Sequence, residues 1–199
     1  DELKLIIRLC ISYVLRRSIC DIPTNSLNKT FSTLKNEIKQ DDYVNSIKAF
    51  FIMRDDYKEF PDDDKFTAAF VSRDIYTMRS RNFILSHLEN FGNKAPIIIE
   101  NYTIEHIMPQ NSRLSPEWQQ MLGANWREVQ KTYLHTIGNL TLTAYNSEMS
   151  DHPFMVKMDM EGGFKESALC LNAYVVKLDE WNEQRINERA ALLADKAKQ

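Results

Sequence analysis

Apolar residues recur at helical spacing from the first turns of the chain. Leu5, Ile6, Leu9, Ile11, Val14 and Leu15 fall mostly three or four apart within residues 3–20, the interval that sets side chains on one side of a helix. Pro23 cannot continue that helix, and Thr24, Asn25 and Ser26 offer caps for a second one carrying Leu27, Phe31 and Leu34. A third opens at Asp41 and Asp42 and buries Ile47, Phe50 and Phe51. A fourth opens at Pro61 and the three aspartates after it and runs to about residue 73, and a fifth covers 74–91 and closes at Gly92.

The texture changes at Pro96. Ile97, Ile98 and Ile99 are β-branched and lead through Tyr102, Thr103 and Ile104, which predicts extended chain feeding a short strand. Ser115 and Pro116 start a short helix through Trp118 and Leu122 that ends at Gly123, and Trp126 to Leu134 form another. Apolar and polar residues alternate from Gly138 to Thr143, the pattern of a second strand, and a helix follows near Ala144. From Ser167 onward the pattern is helical again, with Trp181, Ile186, Ala190 and Leu193 on one stripe and a frayed Ala/Lys/Glu tail. The expectation is a mainly α (α+β) protein: a helical region over 1–95, then a region over 96–199 that embeds a strand–insertion–strand–helix unit and ends in helices.

Composition narrows the class. Hydrophobic residues make up 43% and charged residues 27%, the balance of a chain that buries a core in water, and no apolar run approaches a membrane span. Asp1-Glu2-Leu3-Lys4 opens neither a signal nor a transit peptide, and the missing Met suggests a piece of a longer protein. Cys10 and Cys20 on one helix stand roughly 15 Å apart, too far to bridge. With Cys170 the count is odd, which fits a reducing compartment, and without a Cys-x-x-Cys pair there is no zinc ribbon. A net charge of −3 gives no general argument for nucleic acid, although residues 1–40 carry a local +3 and residues 55–64 are acidic.

Two segments carry candidate chemistry. Glu105 and His106 are adjacent at the end of the first strand, just before Pro109, where a carboxylate and an imidazole can reach one cavity edge. The plain alternative is a surface acid beside a half-buried histidine. Asn139 starts the second strand and Asn146 sits in the first turn of the next helix. An amide there can orient a loop or give an oxygen to a hard cation, or it can be a turn residue and a helix cap. His135 could support His106 or simply pack in the core, and Lys157 could grip phosphate or stay solvated.

Taken together, a strand with an acid–His pair, a long insertion, Gly138-Asn139-Leu140 on a second strand and a helix carrying Asn146 resemble an HNH nuclease, the ββα-metal fold. The chain is more closely similar to the C-terminal region of GmrSD-type DNA restriction proteins, a resemblance that also takes in residues 16–31, Tyr102 to Gln110, His135 to Leu142, Pro153, Phe154, Lys157, Trp181, Ile186 and Arg189. It implies a metal-dependent DNA endonuclease of a modification-sensing restriction or phage-defence system, in a bacterial cytoplasm. By the same resemblance His106 is the general base, Asn139 holds the loop and orients it, and Glu105 and Asn146 bind one divalent metal. Mg²⁺ is first and Mn²⁺ second, since the ligands are oxygens, and no structural zinc is expected. His135 and Lys157 are its DNA-binding or supporting residues. Glu where many such sites have Asp, and Asn in place of a last His, depart from the commoner pattern. The implied partners are DNA, possibly modified, and an N-terminal nucleotide-hydrolysing domain whose Gly-x-x-x-x-Gly-Lys loop is not in this sequence. The rival reading is a catalytically silent helical module for DNA or partner binding that keeps a nuclease-like shell. The two differ in whether His106, Glu105 and Asn146 converge on one small cavity.

Overall fold

Aspartate and proline punctuation sets the helices of the first part of the chain. In the computed structural model, which describes residues 2–55 and 58–199, these are α1 (Glu2–Ile19), α2 (Leu27–Glu37), α3 (Tyr43–Ile52) and α4 (Asp63–Ser72). Asp1 and, in the acidic run, Asp56 lie outside the described residues. The chain divides into two compact units, Asp1–Phe70 and Val71–Gln199; the boundary read from sequence at 95/96 lies inside the second.

The first unit packs around Tyr13, Ile47, Phe50 and Phe51, with Phe31 and Phe60 closing on the Tyr13 ring from α2 and from the segment before α4. Arg17 reaches across to the Pro23 carbonyl and to Ser26 Oγ, both at 2.9 Å. Ser26 therefore accepts from an arginine and makes no side-chain cap on α2.

In the second unit α5 runs only from Arg81 to Asn90. Residues 74–80 are a turn rather than the first half of a helix. Asp74 Oδ1 accepts from the Thr77 N–H at 3.0 Å, and the Ile75 and Tyr76 N–H groups donate to the His135 carbonyl at 3.0 and 3.3 Å. Then come β1 (Thr103–His106), α6 (Pro116–Leu122), α7 (Trp126–Tyr133), β2 (Leu140–Thr143), α8 (Asn146–Met149), α9 (Phe154–Asp159) and α10 (Glu183–Ala197). The strands form one antiparallel pair with Glu105 opposite Thr141 and His106 opposite Leu140.

The stretch 167–182 also departs from the helical expectation. Glu89 of α5 accepts from the N–H groups of Cys170 and Leu171, at 2.8 Å each, and the chain there makes single 3₁₀ turns. Trp181 precedes α10 instead of lying on its stripe, and α10 persists to Ala197. Arg189 of α10 is buried, among the described residues without a carboxylate partner; it donates to the carbonyls of Ile137, Gly138, Leu140 and Leu171 at 2.7–3.1 Å. The protein is mainly α with one small sheet. Among the described residues no helix is long and apolar enough to cross a membrane.

Candidate active site

Glu105 and His106 are neighbours on β1, and strand geometry sends them to opposite faces. Glu105 is 3% exposed, and its Oε1 lies 2.5 Å from Nζ of Lys157 on α9. Lys157 is itself fully buried and also donates to the carbonyls of His106 and Ile107, at 3.0 and 3.3 Å. Burial pushes the Glu105 carboxyl up and the Lys157 ammonium down, each partly offset by the opposite charge beside it. Lys157 is thus not solvated, and its three bonds tie α9 to the end of β1.

His106 faces the other way. Its Nε2 lies 3.0 Å from Nδ1 of His135, so one nitrogen carries a proton that the other accepts. Tyr76 packs on both rings, edge-on to His106 with centroids 4.6 Å apart and stacked on His135 at 5.1 Å. Burial first, then repulsion from His135 and Lys157, holds the His106 pKa down at about 3, with Asp74 acting in the opposite direction. His106 is thus an uncharged imidazole at neutral pH.

Asn139 is fully buried, and its side chain makes four hydrogen bonds. Oδ1 accepts from the Met108 N–H at 2.8 Å and from the Trp181 indole at 3.1 Å. Nδ2 donates to the carbonyls of Met108 and Leu134, at 3.0 Å each. Both backbone groups of Met108, two residues past His106, are therefore held by one amide. Asn146 is exposed at the start of α8. Together with Tyr76, Arg81, Asn82, Tyr102 and Ile104 it lines an open cavity of about 450 Å³.

The four residues singled out first thus fall into four places: Glu105 with Lys157, His106 with His135 and Tyr76, Asn139 in the turn before β2 with its side chain on Met108, and Asn146 on the cavity wall. Asn146 shares that cavity's walls with Tyr76, whereas Glu105, His106 and His135 are not among them. As arranged, Glu105 and Asn146 do not fit a shared divalent ion, because the carboxylate is committed to a buried ammonium. Among the described residues no group of three His, Cys, Asp or Glu side chains could hold a metal.

A family model described as the C-terminal domain of GmrSD restriction endonucleases matches residues 60–196. The chain belongs to that family. A comparison with curated proteins gives no match.

In this GmrSD C-terminal domain, Tyr76 packs on both histidines, Asp74 acts on His106 by its charge and Arg81 holds Tyr76, and none of the three stands out in the sequence. Their one local signal is Asp74 three residues before Thr77, the spacing of a side-chain-capped turn, inside a stretch whose apolar pattern reads as helix.

Proposed function

We propose that the domain is the nuclease part of a restriction system and hydrolyses DNA phosphodiesters, with His106 as the general base and His135 and Tyr76 as its positioning residues. The observation that carries this reading is the orientation of His106. Its Nε2 is fixed by His135 at 3.0 Å, which makes Nδ1 the ring position for a proton taken from water whenever Nε2 is the donor. An imidazole held at about 3 is a weak base in the free protein. A phosphate anion beside it favours the imidazolium and strengthens it when substrate is bound.

Metal dependence belongs to the proposal on chemical grounds alone: Mg²⁺ or Mn²⁺ would offset the charge that develops on the phosphate and the leaving oxygen. No step is assigned to the ion, because Lys157 occupies Glu105. That same pair favours the second reading, a silent DNA- or partner-binding module, since a nuclease of this type needs its acid free.

Plasmid cleavage decides between them. Wild type should nick or linearise plasmid with Mg²⁺ or Mn²⁺ and stop with EDTA, and His106→Ala should lose about 10²–10⁴-fold of that rate while staying folded. Equal cleavage by a folded His106→Ala variant removes the base assignment, and no cleavage by wild type under any condition favours the silent module.

A further inference from the structure

The cavity lined by Tyr76 and Ile104 has neither histidine among its walls, and the one cation on them among the described residues is Arg81. Arg81 opens α5, and its Nη1 donates to the Tyr76 carbonyl at 3.0 Å while the guanidinium carbon lies 5.5 Å from the Tyr76 ring centroid. That ring also stacks on His135, which contacts His106. One aromatic ring thus fixes a guanidinium and an imidazole pair relative to each other. The bond to the carbonyl uses one of the five guanidinium donors, and among the described residues no other hydrogen bond engages this side chain of the cavity wall. The other walls suit a nucleotide. Ile99, Ile104 and Leu142 are apolar and Tyr102 is aromatic, and Asn82 and Asn146 supply amides. The volume, about 450 Å³, is in the range of small-molecule pockets.

We propose that Arg81 binds a phosphodiester of a DNA strand and that this cavity seats the attached nucleotide against Tyr76, whose ring packs on His106. The inference rests on the phosphodiester chemistry proposed for His106, and it adds the residue that holds the substrate. A planar fork pairs with two phosphate oxygens at once, which a lysine does not do. Glu100, also on the wall, repels phosphate and limits where along the cavity it settles. The overall charge of −3 makes such a cation matter more, because the chain as a whole does not attract DNA.

The test is fluorescence anisotropy of a short labelled single-stranded oligonucleotide in EDTA with the full 199-residue chain, gels confirming that the strand stays intact. Arg81→Gln should weaken binding about 10-fold and lower the slope of log affinity against log salt by about one. Arg81→Lys should fall between, and Lys131→Gln, which removes a charge from an exposed position on α7, should stay within about twofold of wild type. Circular dichroism establishes that each variant folds, and if Arg81→Gln does not, wild-type affinity in Arg81→Lys overturns the proposal. Wild-type affinity and slope in Arg81→Gln also overturn it, as does an equal loss in Lys131→Gln. Binding is read without cleavage, so an inactive wild type that still binds through Arg81 removes the endonuclease reading and leaves this one standing.

Discussion

Single side chains in this domain act chiefly on the backbone. Asn139 satisfies two groups of Met108, the Leu134 carbonyl and the Trp181 indole. Asn139→Ala leaves all four without their partner in the core, and the expected cost is about 3 kcal/mol or more, read as a lower urea midpoint. The Glu105–Lys157 pair behaves differently. Lys157→Met strands a buried carboxylate and should cost about 3–5 kcal/mol, whereas adding Glu105→Gln should recover much of that loss. A double mutant no more stable than Lys157→Met would show that the pair is not what the lysine serves. His106 sets a pH dependence. Its pKa is about 3 folded against 6.5 for the free group, so between those values the unfolded chain takes up a proton that the folded chain refuses. Stability is full above 6.5 and declines as pH falls toward 3, by at most about 1.4 kcal/mol per pH unit. Urea midpoints over that window should fall less steeply in His106→Asn, and identical slopes would contradict the depressed value.

At the scale of elements, what could be read from the sequence was what neighbours in sequence decide. Pro61 with its aspartates starts α4, Ser115-Pro116 starts α6, and alternation marks β2. Residues 74–80 and 167–182 depart from the helix their apolar pattern predicts because backbone groups there are satisfied from far away, by the His135 carbonyl and the Glu89 carboxylate. An apolar pattern carries no trace of such a partner. The site follows the same division. His106, Asn139 and His135 stood out by type and order, while the capture of Glu105 by a lysine 52 residues later, and the arrival of Tyr76, depend on tertiary packing. Gly138 shows how close that packing is. A Cβ there would sit 2.8 Å from Ile186 Cγ2 and beneath the Ile186 carbonyl. Gly138→Ala should therefore push α10 off the segment before β2 and lower stability by about 1–3 kcal/mol, seen as a drop in Tm.

For the whole molecule, the governing quantities are charge and the order in which the chain is joined. With a net charge of −3, DNA affinity must come from a few placed cations. Binding by the 199-residue chain should therefore be weak, sequence-indifferent and lost on raising salt. Tight binding that survives high salt would show a larger basic surface at work. The long-range clamps have a different consequence, one of timing. Glu105 meets its lysine 52 positions downstream, Asn139 meets Trp181 after 42, and the carbonyls around Gly138 wait for Arg189, about 50 positions on. Contacts of such separation form late, because the intervening chain must first be closed. During synthesis, which proceeds from the N-terminus, the histidine pair emerges well before the arginine that locks its scaffold. A ribosome-bound chain stopped short of Arg189 holds every residue of the candidate centre and none of its final clamp. The scaffold of the histidine pair is therefore completed only once α10 has left the ribosome.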